Sequence, residues 1–234
     1  MKRILAIETS AEACSVALAD GDAVNERFEH APMKHAELIL PMVSALLGEA
    51  GWKTADLDVI AFGRGPGSFT SLRIGIGVVQ GLAWGADIPV VPVSSLAAVA
   101  QAALDRAAGE LPARPEVLVA MDARMGEVFH GRFRPDENGR IEGVGAEQVS
   151  APGDVSLEGV GIAAGNGFER YQELVAQKDG VELCFPDIWP RASTVLQLGR
   201  HWLEAHEPLP AALAQPVYIR NDVAHKPAQA PAGR

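Results

Sequence analysis

The sequence predicts an α/β protein of two related lobes, each a mixed sheet with helices on its faces, and three observations carry that prediction. Apolar runs and turn residues across the first hundred positions give the order βββαβαβα. A strand that ends in an acid, then a short turn and a second strand, occurs twice, at Glu8 and at Asp122. Between the two copies, AAGELPARP at residues 107–115 is rich in proline and small residues and reads as a linker. The expected division is residues 1–106 for the first lobe, 107–214 for a smaller second lobe, and 215–234 for a C-terminal segment. The end of that segment, HKPAQAPAGR, has little to pack and is expected to be disordered.

Taken in order, ILAI and CSVALA read as strands, and Asp20-Gly21-Asp22 as a hairpin turn into a third. Helical spacing follows from Met33 to Ala50, then a strand over 57–63, a helix from Ser68, the strand IPVVPV, and a helix from Ser94 or Ser95 to about residue 105. Beyond the linker, EVLVAMDARMGEVFHGRF reads as two strands about a turn at Ala123 to Gly126, closed by PDENGR. VGIAAGNGFERYQELVAQ has a strand, glycine turn, helix pattern, and STVLQLGRHWLEAH is a helix with Ser193 as its expected N-cap.

Composition narrows the function. The 234 residues are 48% hydrophobic and 21% charged, as in an ordinary globular protein. A formal charge of -10 and a pI near 5.1 oppose unaided binding to a phosphate backbone, so any nucleic-acid role needs another subunit. Cys14 and Cys184 form no CxxC pair, which favours a reducing compartment. The apolar run Ile4 to Ile7 is too short for a signal peptide and no segment suits a membrane span, so the chain reads as cytoplasmic.

The glycine-rich stretch GRGPGSFT poses the question of chemistry. A Walker loop needs a lysine, and none stands near Gly63 to Gly67; the glycines at 63, 65 and 67 do not spell GxGxxG. Amides at the start of the following helix can face an anion, but a tight turn capped by Ser68 is the simpler reading. The histidines at 30 and 35, and at 201 and 206, are five apart rather than the four of a helical metal pair, so no metal site is expected. Ser10, Ser15, Ser68 and Cys14 lack a nucleophile signature such as GxSxG. Glu8 and Asp122, at strand ends, suit either a water-mediated magnesium ion or the capping of turns.

The helices are more informative. In MKHAELILPMVSALLGEAG the apolar residues Leu38, Ile39, Leu40, Met42, Val43, Leu46 and Leu47 spread over roughly 200 degrees, more than one sheet can cover. In the next helix Gly77, Gly81 and Gly85 recur every four residues on one face, continued backwards by Arg73. Each interior glycine costs about 1 kcal/mol relative to alanine, so a row of them fits a site where another backbone comes close, either inside the subunit or from a partner.

The motifs ILAIETSAEACSVAL, GRGPGSFTSLRIGIGVVQGLA, DARMGEVF, AGNG and PVYIRNDVA together resemble the TsaB family, also called YeaZ, over Ile4 to about Ala224. The resemblance implies an actin-like, sugar-kinase-like fold and a role in making threonylcarbamoyladenosine in tRNA. It implies a non-enzymatic partner of the transferase TsaD and the small ATPase TsaE, with ATP used through TsaE, no cofactor of its own, tRNA met only through the complex, and a homodimer when alone. TsaD binds a metal through an HxxxH motif after a strand like IPVVPV; here Val93 to Val99 hold no histidine, which implies a catalytically degenerate paralogue without a metal or catalytic residues. The partner-interface residues so implied are Leu38, Ile39, Met42, Leu46, Arg73, Ile74, Gly77 and Gly81. A vestigial nucleotide site would comprise Glu8, Thr9, Ser10, Gly65, Gly67 and Ser68, with Pro66 shaping the turn. Two positions depart from the family pattern, Glu8 where aspartate is usual and Ser71 where glycine is usual, the latter expected near the partner. The alternative reading is an ATP-dependent phosphotransferase or a peptidase of the actin-like superfamily.

Overall fold

The computed structural model describes residues 2–113, 115–177 and 179–220. The first lobe opens with β1 (Ile4–Glu8), β2 (Ala13–Asp20) and β3 (Ala23–His30), followed by α1 (His35–Ala50), β4 (Val59–Gly63), α2 (Phe69–Ala86), β5 (Val90–Val93) and α3 (Ser95–Arg106). The second lobe contains β6 (Val117–Arg124), β7 (Glu127–Pro135), β8 (Ile141–Gly143), β9 (Gln148–Ser150), β10 (Ile162–Ala164), α4 (Gly167–Arg170), α5 (Gln172–Ala176), β11 (Leu183–Phe185) and α6 (Ala192–Ala205).

Both sheets share one plan. The first has the order β3-β2-β1-β4-β5, antiparallel between β3, β2 and β1 and parallel between β1, β4 and β5. The second has β8-β7-β6-β10-β11 with the same senses, and β9 adds to β7. The echo between Glu8 and Asp122 is therefore structural, because β1 and β6 hold the same place in their sheets. These are the two related lobes, each a mixed sheet with helices, that the sequence predicts.

Strand alternation sorts the core. From β1, Leu5 and Ile7 join Ile39, Val43, Leu46, Ile76 and Val79 beneath α1 and α2, while Ile4 and Ala6 face Val195 and Leu196 of α6 on the opposite side. The terminal helices are exchanged: α6 packs on the first sheet, and Leu96, Val99 and Ala103 of α3 pack on Val117, Val119 and Ile162 of the second. Each lobe thus lends its last helix to the junction with the other. The start of α6 differs from expectation. Its N-cap is Arg191, and the Ser193 N–H is held at 3.0 Å by the carboxylate of Glu26 from β3, which also binds Arg191. The helix expected after the AGNG turn is split into α4 and α5 at Tyr171. The HKPAQAPAGR end lies outside the described residues. Among those residues no helix is long and apolar enough to cross a membrane.

Candidate functional site

Two places gather the residues singled out by sequence: the cleft between the lobes, and the outer face of α1 and α2. At the floor of the first lobe, three glycines make room for the end of β1. A Cβ on Gly63 would collide with the Glu8 carboxylate, one on Gly67 with the backbone of Ser10, and one on Gly75 with Thr9 Oγ1. The Ser68 N–H donates to the Ser10 carbonyl at 2.7 Å, and Thr9 Oγ1 donates to the Ser71 carbonyl at 3.0 Å. Gly65, at φ +93, makes the left-handed turn that brings its carbonyl to the Ser95 N–H at 3.0 Å. The loop is thus a tight turn wrapped on the Glu8-Thr9-Ser10 corner, although its cap differs from expectation. Ser68 stands at the N-cap of α2, yet its hydroxyl accepts from the Ser71 side chain Oγ at 3.0 Å rather than from a backbone N–H of the helix. Ser71 itself is buried and lines the cleft, so it does not face a partner on the outside of the helix.

Glu8 is fully buried. Its Oε1 accepts from the Ser10 N–H at 2.5 Å and its Oε2 from Ser95 Oγ at 2.8 Å. Burial outweighs these hydrogen bonds and raises the carboxyl above its ordinary range. Its oxygens are committed to the turn, and it does not line the cleft. The equivalent acid of the second lobe has the opposite environment. Asp122 meets the Arg170 guanidinium, accepts from Tyr171 hydroxyl at 2.6 Å, and accepts from the Arg124 N–H at 3.0 Å. Desolvation pushes its pKa up, but these hydrogen bonds and Arg170 outweigh it, and the net shift is downward. Both acids therefore cap turns and hold neighbours.

The cleft has a volume of about 180 Å³, with Ser10, Ser68, Asn166, Trp189 and Arg220 in its walls. Glu12 of the first lobe spans it to reach Arg124 and, at 3.8 Å, Arg170 of the second. The nearest imidazole, His35, is buried with Nε2 3.0 Å from the Ala11 carbonyl and 3.2 Å from that of Ala13, so this nitrogen carries hydrogen and is no base toward Ser10. No cluster of three potential metal-binding side chains occurs among the described residues.

The outer face is open. Gly77, Gly81 and Gly85 are exposed, and a Cβ on any of them would meet nothing within 4 Å. Trp84, 73% exposed, lies seven residues from Gly77 and so on the same side of α2. Leu40 of α1 is 49% exposed nearby in sequence to Leu38 and Met42, which are half-buried, as is Ile74. The structure corrects two expected contacts: Ile39 and Leu46 are each 1% exposed and point into the first-lobe core, where a partner cannot touch them. Arg73 is exposed, with its guanidinium 3.9 Å from the Phe69 ring centre. Its Nε donates to Tyr218 hydroxyl at 3.1 Å, a contact that local sequence reasoning missed because 145 positions separate the two residues.

Comparison with known proteins fits this geometry. Residues 29–188 match the family model described as TsaD, tRNA N6-adenosine threonylcarbamoyltransferase. The tRNA threonylcarbamoyladenosine biosynthesis protein TsaB of Escherichia coli K12 is 40% identical over 230 residues, covering 96% of this chain and 97% of that protein. Two solved structures from Pseudomonas aeruginosa superpose closely. One, a protein described as similar to the peptidase YeaZ, has a TM-score of 0.83 at 40% identity and covers 94% of this chain and 100% of its own; the other, YeaZ, has 0.82 at 37% identity, covering 93% and 100%. The chain belongs to the TsaB (YeaZ) family of tRNA threonylcarbamoyladenosine biosynthesis proteins.

Proposed function

We propose that this chain is a non-enzymatic activating subunit of the complex that transfers threonylcarbamoyl from its adenylate to the adenosine beside the anticodon of tRNA. TsaD supplies the catalysis and TsaE uses the ATP; this chain docks on TsaD through the outer face of α1 and α2, and pairs with itself there when alone. It meets tRNA only through the complex, as its charge of -10 favours. The observation that carries the reading is the row Gly77, Gly81, Gly85 beside Trp84: three helix-weakening residues whose missing side chains serve nothing within the subunit. A closely approaching partner helix gives them a use. The burial of Glu8 and the engagement of Asp122 by Arg170 and Tyr171 support the absence of catalysis.

The test is threonylcarbamoyladenosine formed on tRNA by TsaD, TsaE, ATP and threonylcarbamoyl-adenylate, with and without this chain. Dependence on the chain, with no product when it replaces TsaD, is expected. Equal product in its absence refutes the reading. As a check on the surface, Gly77→Leu should leave the chain folded and abolish co-elution with TsaD in gel filtration.

A further inference from the structure

The last described residues, 214–220, cross from one lobe to the other. The buried Ala214 accepts at its carbonyl from Gln80 Nε2 of α2 at 2.7 Å, and the Val217 N–H donates to the Arg64 carbonyl in the glycine loop at 2.8 Å. Tyr218 accepts from Arg73 and lies 5.2 Å, centre to centre, from the Phe69 ring. Two residues later the chain has reached the second lobe. Arg220 donates to the Ala123 carbonyl at 3.1 Å and pairs with the carboxylate of Glu127. Ala123 and Glu127 flank the turn between β6 and β7, whose Arg124 and Met125 are held left-handed at φ 64 and 56. From that turn Arg124 reaches across the cleft to Glu12.

We infer that this segment is a strap that positions the docking face: Tyr218 fixes the direction of Arg73 on the outside of α2, and Arg220 ties that direction to closure of the cleft. The positioning role rests on the docking reading of α2 above. A free arginine on a helix surface samples many rotamers, and a partner that engages it must overcome that entropy; a guanidinium already held between Phe69 and Tyr218 removes part of the cost. Because the other end of the strap grips the β6–β7 turn, whatever loosens the turn loosens Arg73, and by linkage the reverse holds. Tyr218 and Arg220 are positioning residues.

The experiment has two arms, using Tyr218→Phe, which deletes only the hydroxyl, and Arg220→Met, which keeps the stem and deletes the far anchor. In the full isolated chain, amide hydrogen exchange is followed by mass spectrometry over residues 69–73 and 123–127. Each variant should speed exchange at both ends by roughly 2-fold to 30-fold, the range for coupling through packed networks. Acceleration confined to the mutated end overturns the strap. If Arg220→Met unfolds the chain, Glu127→Gln loosens the same anchor more gently. In the second arm, affinity for TsaD should fall by a similar factor in each variant, and the double variant should bind no worse than the weaker single one. Unchanged affinity in both singles overturns the positioning role. If the wild-type chain does not bind TsaD, the docking reading fails and positioning with it, while the exchange arm still decides whether the strap links the lobes.

Discussion

Two sets of glycines within one strand, loop and helix serve opposite ends. Gly63, Gly67 and Gly75 face inward, and their missing side chains are filled by Glu8, Ser10 and Thr9 of the neighbouring strand end. Gly77, Gly81 and Gly85 face outward, where their missing side chains are filled by nothing. The inner set is explained by folding, because a side chain there would drive the loop off the β1 corner. The outer set lowers the helix stability of the isolated chain and meets nothing inside it, and the proposed docking of a partner helix on α2 gives it a use. One residue type thus marks a folding determinant at one position and, on the proposed reading, a docking surface two residues away.

The largest expected effect comes from breaking the inner set. An alanine Cβ at 67 would lie 2.6 Å from Ser10 Cβ and overlap the Ser10 carbonyl, which also receives the Ser68 N–H. Backbone cannot yield as a flexible side chain does. Gly67→Ala should lower stability by about 3 kcal/mol, read from the urea midpoint at constant slope; a loss below about 0.5 kcal/mol would show that the loop moves freely and that the two sets do not differ. Next is Gly77→Leu, which leaves space inside the subunit untouched. It should weaken TsaD binding by about 2 kcal/mol or more, roughly 30-fold, with a thermal midpoint that is not lowered. A smaller effect, of opposite sign, sharpens the contrast. Gly77→Ala should stabilise the isolated chain by up to about 1 kcal/mol, since a helical alanine there meets no atom. The same change at position 75 should destabilise.

The outer half of this contrast is legible in the sequence, whereas the inner half, the filling of Gly63, Gly67 and Gly75 by Glu8, Ser10 and Thr9, is not. The strand, loop, helix order of residues 57–86 follows from apolar runs and glycine spacing, and the four-residue recurrence of Gly77, Gly81 and Gly85 was visible at once. Periodicity gave α1 a broad apolar arc but not the part that its own sheet covers, so Ile39 and Leu46 fell among the expected contacts although they lie in the core. Deciding between them needed the third dimension. The same limit hid the exchange of α3 and α6 between lobes, the capping of α6 by Glu26, 167 positions away, and the hold of Tyr218 on Arg73. The strands β8, β9 and β11 have three residues each, too few for alternation to register.

The last prediction concerns the acid that fills the space left by Gly63. Burial raises the Glu8 pKa above its unfolded value, so the folded state holds that proton more tightly than the unfolded chain does. The stability contributed by the protonated acid is fully present below the unfolded pKa, near 4.5, and is lost as pH rises through the folded value. Glu8→Gln keeps an oxygen for the Ser10 N–H, and its amide can donate to Ser95 Oγ, but it does not titrate. The variant should therefore gain on the wild type as pH rises from about 4.5 toward neutrality and show a constant difference below that. Asp122, whose pKa is lowered, gives the opposite sign: its stabilisation is present above its unfolded value, near 3.8, and lost as pH falls through the folded one, so Asp122→Asn should lose most at neutral pH. Urea titrations of both variants across pH 3 to 8 would separate the two lobes by slope. If Glu8→Gln instead lost stability at neutral pH, the carboxylate would be held as a charge by the Ser10 and Ser95 donors, and the inner glycines would enclose an anion rather than a neutral acid.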